Sequence, residues 1–360
     1  MKGTIYEELV KRHEGEGMFP LAPGKNDGFL EWLEHWLTEE EAKFLLQLPL
    51  MHEMPAPLSS IAENAGMTEE DAQGMLETLM DKAMVLHTEL EEFDIRGYTQ
   101  GNWIFITECY LHRYVDVDNA GEIDIKLGRW LEDIKESDHL EEKANFFRVL
   151  PIAKAIEDTR GVISTPYASE IIEKADFIAV MRCLCRSSSH LVGEPCKYPL
   201  EVCFGFGDHA RAYVERGFAR EVTREWALET IKECEEMGLI HSTDNIEGVH
   251  SVLCNCCPCH CIPVTGFRKD KQVIRAARSN FVSSVNLEKC KGSGLCVDKC
   301  PYSAIELEDG KAKIKEDRCI GCGLCATVCP AEALSLKVRP RDKIDRFYKD
   351  IVEYAMELTR

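Results

Sequence analysis

Apolar residues along the chain recur mostly at helical spacing. Trp32 and Trp36 lie one turn apart on an amphipathic stretch, so residues 1–37 read as partly helical. Thr38 ahead of Glu41 forms a capping box for EEEAKFLLQL. Pro57 opens a short helix, LSSIAENAG, which Gly66 ends, and Thr68 caps TEEDAQGMLETLMDKAMV. The pattern then changes: VLHTEL and, past Gly97 and Gly101, NWIFIT read as strands. Residues 121–145 are charged and helical and read as a connector, and REWALETIKECEEMGLIH is a later helix with Gly238 near its end. At the C-terminus, Ile344, Phe347, Ile351, Tyr354 and Leu358 predict a helix within 341–360.

Residues 285–338 carry an internal duplication. SVNLEKC followed by a cysteine loop, CP and YSAIELEDG matches KAKIKEDRC followed by a second cysteine loop, CP and AEALSLKV. Each copy predicts strand, loop, short helix and strand, with Asp309-Gly310 turning the inner strands into a hairpin. The resulting fold class is α+β multidomain. Residues 1–140 are a helical region, 141–265 a cysteine-rich metal or cluster domain, 266–340 a βαββαβ domain and 341–360 the C-terminal helix. Within 38–95, three helices followed by a hairpin resemble a winged helix. Residues 266–284, with Arg268, Lys269, Lys271, Arg275 and Arg278, form a basic and exposed lead into the βαββαβ domain.

Charge narrows the function. The net charge of −20 opposes general nucleic-acid binding, because phosphate repels an acidic surface. Residues 38–95 hold fourteen acidic and two basic side chains, and the would-be recognition helix carries Glu69, Glu70, Asp71, Glu77 and Asp81. A helix that reads DNA presents Arg, Lys or Asn instead, so the reading is no DNA partner and a unit reused for packing or protein docking. No G-x-G-x-x-G after a strand and no Walker loop indicates a nucleotide or flavin.

Eighteen cysteines among 360 residues are the dominant chemical signal. The opening MKGTIYEELVKRHEGEG lacks the apolar core of a secretory leader, and stretches such as Phe177 to Met181 are too short to span a bilayer. The expectation is a cytoplasmic protein without a membrane span, whose clustered cysteines are metal ligands rather than disulfides.

In the second copy, Cys319, Cys322 and Cys325 are each separated by two residues, and Cys329-Pro330 follows. Such a loop wraps a cuboidal cluster, with Gly321 and Gly323 permitting the tight turn. Structural zinc sites use two separated C-x-x-C pairs instead. Residues 285–338 therefore resemble a bacterial-type dicluster ferredoxin. That resemblance implies a 4Fe-4S cluster held by Cys319, Cys322, Cys325 and Cys300, and a second held in part by Cys290, Cys296 and Cys329. The first copy departs from the family pattern: Ser293 stands where the family places a cysteine. Either a 3Fe-4S cluster forms near Ser293, or a 4Fe-4S cluster takes the serine oxygen or a small ligand at its odd iron, or the site is empty. The family resemblance implies outer-sphere electron transfer with redox partner proteins in a reducing, anaerobic cytoplasm.

The middle region holds Cys183, Cys185, Cys196, Cys203, Cys254, Cys256, Cys257, Cys259 and Cys261. These thiols, brought close, need a cation to offset thiolate repulsion. They suffice for two four-ligand iron–sulfur clusters, or for one cluster beside a redox-active thiol pair, while zinc is the alternative because the spacing fits no standard cluster motif. In an extended chain, Cys254 and Cys256 fall on one side and Cys257, Cys259 and Cys261 on the other. Arg182 and Arg186 flank the first pair and favour a reduced, more negative cluster. Lone Cys109 and Cys234 read as small buried hydrophobes, and His260 as a hydrogen-bonded ring. The region resembles cysteine-rich segments that accompany ferredoxin modules in iron–sulfur proteins of anaerobes. Three functions follow: an electron carrier with a chain of clusters, an oxidoreductase that reduces a substrate at a middle cluster, or an iron–sulfur regulator with a winged helix.

Overall fold

The computed structural model describes residues 4–14, 26–51, 53–90, 95–136, 145–156, 167–265, 267, 276–350, 353–354 and 357. The chain folds as two compact units. One comprises Met1–Leu140, Leu184–Pro195 and Arg216–Ala219; the other comprises Glu141–Cys183, Cys196–Glu215 and Arg220–Arg360. Arg268, Lys269, Lys271 and Arg275 lie outside the described residues.

The first unit is mostly helical, and its caps are those the sequence indicates. The Thr38 hydroxyl accepts from the Glu41 N–H while the Glu41 carboxylate accepts from the Thr38 N–H, opening the helix Glu39–Leu45. Leu58–Ala65 ends at Gly66 with φ +66, and Thr68 caps Glu69–Asp81. Val85–Leu90 and Ile95–Gln100 then form an antiparallel hairpin. NWIFIT is not a strand. Asn102 accepts from the Ile104 N–H and starts the helix Trp103–Tyr114. Its β-branched residues are helical because Trp103, Ile104, Ile106, Thr107 and Tyr110 are all buried there, and burial overrides local propensity.

Nor does the described part of 121–145, residues 121–136, act as a connector. The helix Glu122–Glu136 buries Leu127, Trp130, Leu131 and Ile134 in the core, each burial contributing about 2 kcal/mol. Trp130 stacks on Phe29 at 4.3 Å between ring centres and donates to Asn26 Oδ1. Its charged residues dominate the composition, but Lys135 and Glu132 are themselves packed, bonding to Cys185, Ser188 and Ser189. Cys109 is buried in this unit as an apolar side chain.

The second unit is built on a seven-stranded sheet. In spatial order its strands are Arg220–Glu221, Ile178–Arg182, Glu201–Phe206, Val252–Cys256, Ile240–Asp244, Phe147–Val149 and Ala276–Ala277. One face carries Ile178, Val180, Phe204, Phe206 and Leu253, packed with Ile171 and Ile172 of helix Ala168–Lys174 and Ala227 and Ile231 of helix Arg224–Met237. Phe204 pairs with Leu253, and Met181 with Cys203. Strand alternation therefore turns Cys203, Cys254 and Cys256 to the face away from those helices.

The duplicated segment belongs to the same unit. Its order is strand Phe281–Val285, helix Leu295–Lys299, hairpin Ile305–Glu308 with Lys311–Ile314, helix Leu324–Thr327 and strand Leu334–Val338, with the outer strands paired antiparallel. The hairpin turn uses positive φ at both central residues, Asp309 (+50) and Gly310 (+71). Buried Arg148 fastens this segment to the sheet. Its guanidinium donates to Asn245 Oδ1, Asn280 Oδ1 and the carbonyls of Arg278, Asp345 and Arg346. Burial lowers its pKa to about 10. Residues 341–350 are a short 3₁₀ turn at Arg341–Lys343 followed by non-helical chain; among the described C-terminal residues only Glu353, Tyr354 and Glu357 are helical.

Candidate metal centres

The duplicated segment gathers its cysteines into two sets. Cys322 lies within electrostatic reach of Cys325, Cys319 and Cys300, which defines an inner set. Cys296 faces Cys329 and Cys290, which defines an outer set. The inner set thus takes three cysteines from the second copy and the Cys-Pro cysteine of the first, whereas the outer set takes two from the first copy and the Cys-Pro cysteine of the second. Cys290, Cys296, Cys329 and Ser293 line one pocket.

Both sets have N–H groups aimed at sulfur. Ser283 N donates to Cys319 Sγ at 3.4 Å, Ala312 N to Cys290 Sγ at 3.4 Å and Ala333 N to Cys329 Sγ at 3.3 Å. The Ser283 hydroxyl is 3.3 Å from Cys325 Sγ. The loops approach neighbouring backbone so closely that a Cβ at Gly292 would lie 2.2 Å from the Gly310 oxygen, and one at Gly321 would lie 2.1 Å from the Phe281 oxygen. Both glycines also have positive φ. Burial pushes the Cys325 thiol up to about 12 and raises Cys322 as well. The N–H groups of Ala312 and Gly292 lower Cys290 instead. Grouped thiols in an apolar cradle with N–H···S bonds fit iron–sulfur clusters, which hold such thiols deprotonated.

The middle cysteines form a second gathering. Cys203 shares hydrogen bonds with Cys183 and Cys254, which raise its pKa ahead of burial. Cys256 is held low by hydrogen bonds from Cys254 and Cys261, helped by Ser242, whose oxygen is 3.2 Å from Cys256 Sγ. These five thiols make a deep nest. Beside it Cys196 and Cys259 are 3.6 Å apart, Cys259 exposed and Cys196 half-buried, while Cys257 is buried. Ligand atoms of Cys196, Cys259 and His260 all fall within 4.8 Å of one another, and His260 N donates to Cys257 Sγ at 3.4 Å.

The alternation expected through Cys261 breaks down. The strand ends at Cys256 and the chain turns over 258–260, so Cys261 returns to Cys256 rather than joining Cys257 and Cys259. Cys185 stands on the helix Leu184–Leu191 of the first unit, where its carbonyl accepts from Lys135. Cys234 is fully buried on helix Arg224–Met237, away from any ligand role.

Sequence reasoning passed over Tyr302. It is buried, and burial followed by the charges of Cys322, Cys261, Cys256 and Cys300 raises its pKa. The signal was in the duplication: Tyr302 follows Cys300-Pro301 where Ala331 follows Cys329-Pro330. Ser242 and Ser283 carried no sequence signal, since their contacts to sulfur depend on strand register.

Residues 289–333 match the family model described as a 4Fe-4S dicluster domain. A stretch of 29 residues, 8% of this chain, is 55% identical to Ferredoxin-1 of Nitratidesulfovibrio vulgaris (strain DSM 19637 / Miyazaki F). That stretch spans 47% of the ferredoxin, about half its length. No solved structure matches the chain significantly. The C-terminal segment is thus a dicluster ferredoxin domain. This domain carries 4Fe-4S clusters.

Proposed function

We propose that this protein passes electrons through a chain of metal centres in the second unit, from the outer set to the inner set and on to the middle nest. Cys300, Cys319, Cys322 and Cys325 would hold the inner cluster. Cys290, Cys296 and Cys329, with Ser293 at the odd corner, would hold the outer one. Cys183, Cys203, Cys254, Cys256 and Cys261 would hold iron in the middle nest, with Cys196 and Cys259 at its solvent side and buried Cys257 beside it. The observation that supports this reading is that the ferredoxin segment and the cysteines of the middle nest belong to one compact unit.

The outer pocket is the natural entry. Its loop residues Lys291, Ser293 and Leu295 are exposed, so a redox partner protein can approach there. Ile152 N donates to the Cys322 carbonyl at 3.0 Å, which ties the inner loop to the chain leading from the sheet. Among the described residues no helix is long and apolar enough to cross a membrane. A reducing, anaerobic cytoplasm is the setting in which so many exposed and half-exposed thiolate ligands survive. The 38–95 unit, winged-helix-like in its order of elements, would serve in packing or docking, since its acidic recognition helix repels DNA. A second reading is an oxidoreductase, favoured by the solvent-facing group of Cys196, Cys259 and His260, where a substrate would reach the middle centre.

The test is a potentiometric titration of the anaerobically purified full chain, followed by EPR. The expected result is a set of signals from the ferredoxin domain and a further reversible signal that Cys256→Ser removes while the ferredoxin signals persist. If Cys256→Ser keeps every wild-type signal at the same midpoint, the middle nest carries no electrons.

A further inference from the structure

Strands Glu201–Phe206 and Val252–Cys256 are antiparallel neighbours, with Phe204 opposite Leu253, and Asn255 Nδ2 donates to the Val202 carbonyl at 2.7 Å. The chain that enters the first strand and the chain that leaves the second therefore meet at one end of the sheet. Cys196 lies on the entering chain, and Cys259 and His260 lie on the turn that follows the second strand. A sequence separation of 63 residues closes there to 3.6 Å between Cys196 Sγ and Cys259 Sγ. A ring nitrogen of His260 lies within 4.8 Å of both sulfurs.

That spacing has a chemical meaning. A disulfide brings its sulfurs to about 2.05 Å. Two thiolates on one tetrahedral ion, each about 2.3 Å from it, stand about 3.8 Å apart. The observed separation matches the second case. An imidazole at the same spot supplies a third ligand, for which a thiol–thiol contact alone has no use. Thiolate with imidazole suits zinc, cobalt or ferrous iron, whereas magnesium and calcium take oxygen. The turn itself is held: His260 N donates to Cys257 Sγ at 3.4 Å, which fixes the backbone that presents Cys259 and His260. Cys259 is exposed, and Cys196 and His260 are half-buried, so an ion reaches the group from solvent.

We propose that Cys196, Cys259 and His260 bind a single divalent transition-metal ion, separate from any iron–sulfur cluster, with its fourth position left to solvent or a small ligand. Three protein ligands beside an open position are the donor count of Lewis-acid metal sites, whereas structural sites are closed by four. The inference stands on these three side chains and does not rest on the middle nest holding iron. An open site with an exposed ligand exchanges its ion with solvent, so the metal is supplied in the test and not carried through purification.

The probe is cobalt(II), titrated into the anaerobically purified full chain. The expected result is one equivalent with the visible bands of tetrahedral cobalt and a thiolate-to-cobalt charge-transfer band, with no loss of iron. Removing a residue that only supports a ligand costs about 10–100-fold in metal affinity, so Cys259→Ala should weaken this equivalent by about 100-fold or more. His260→Gln should weaken it at least about tenfold and remove the nitrogen coupling that pulsed EPR detects on the bound cobalt. Absence of a tetrahedral equivalent overturns the proposal, as does cobalt bound equally well by wild type and both variants. If either variant loses iron, the wild-type chain decides, and bound cobalt without a coupled imidazole nitrogen overturns it. An iron-free middle nest registers separately, as a further cobalt equivalent that Cys256→Ser removes and Cys259→Ala keeps.

Discussion

Cys319→Ala is expected to abolish one 4Fe-4S cluster and to unfold the ferredoxin segment around it. Cys319 Sγ accepts from Ser283 N, and its carbonyl accepts from buried Arg339, so the residue anchors both the cluster and the strand Phe281–Val285. The buried cluster around it is small: Val282, Ala304 and Cys319, with Cys300 and Ile314 against them. So small a core depends on its metal for stability, and metal binding is folding free energy in such a segment. The destabilisation should exceed about 4 kcal/mol, the range associated with loss of a metal site. Iron analysis with denaturant unfolding of the full chain checks it. A variant with full iron and wild-type stability would show that Cys319 is not a ligand.

Ser293→Cys is expected to act in the opposite direction, completing a cluster. Ser293 shares one pocket with Cys290, Cys296 and Cys329. Serine is a poorer donor than thiolate to a soft iron–sulfur core, so the outer cluster should be the labile one and should lose its odd iron first on mild oxidation. EPR of the oxidised wild-type protein should then show a 3Fe-4S signal, and Ser293→Cys should lack it. The variant's outer cluster should have a lower potential, as cluster type sets potential, and should resist oxidant. Identical spectra and equal resistance in the two proteins would remove Ser293 from the vacant corner.

The sequence made the ferredoxin segment legible because its ligands are local and its duplication supplies two registers for comparison. Helix caps at Thr38, Gly66, Thr68 and Gly238 were equally legible, since each depends on its own few residues. What could not be read depends on tertiary burial. NWIFIT has strand-like composition but lies on a helix whose inward residues are covered by other helices. The helix Glu122–Glu136 is charged overall, yet its Trp130 is a core residue. In the middle region, the deep nest joins Cys183, Cys203, Cys254, Cys256 and Cys261 across adjacent strands and a turn, an arrangement set by sheet order rather than by spacing.

The most direct test of an electron-carrying chain of clusters is the iron, zinc and acid-labile sulfide content of the anaerobically purified full-length protein. The account predicts more iron and sulfide than the ferredoxin domain's two clusters contain, with no stoichiometric zinc, because the middle nest holds iron as well. Iron no greater than those two clusters need, with zinc present in proportion to the chain, would contradict it.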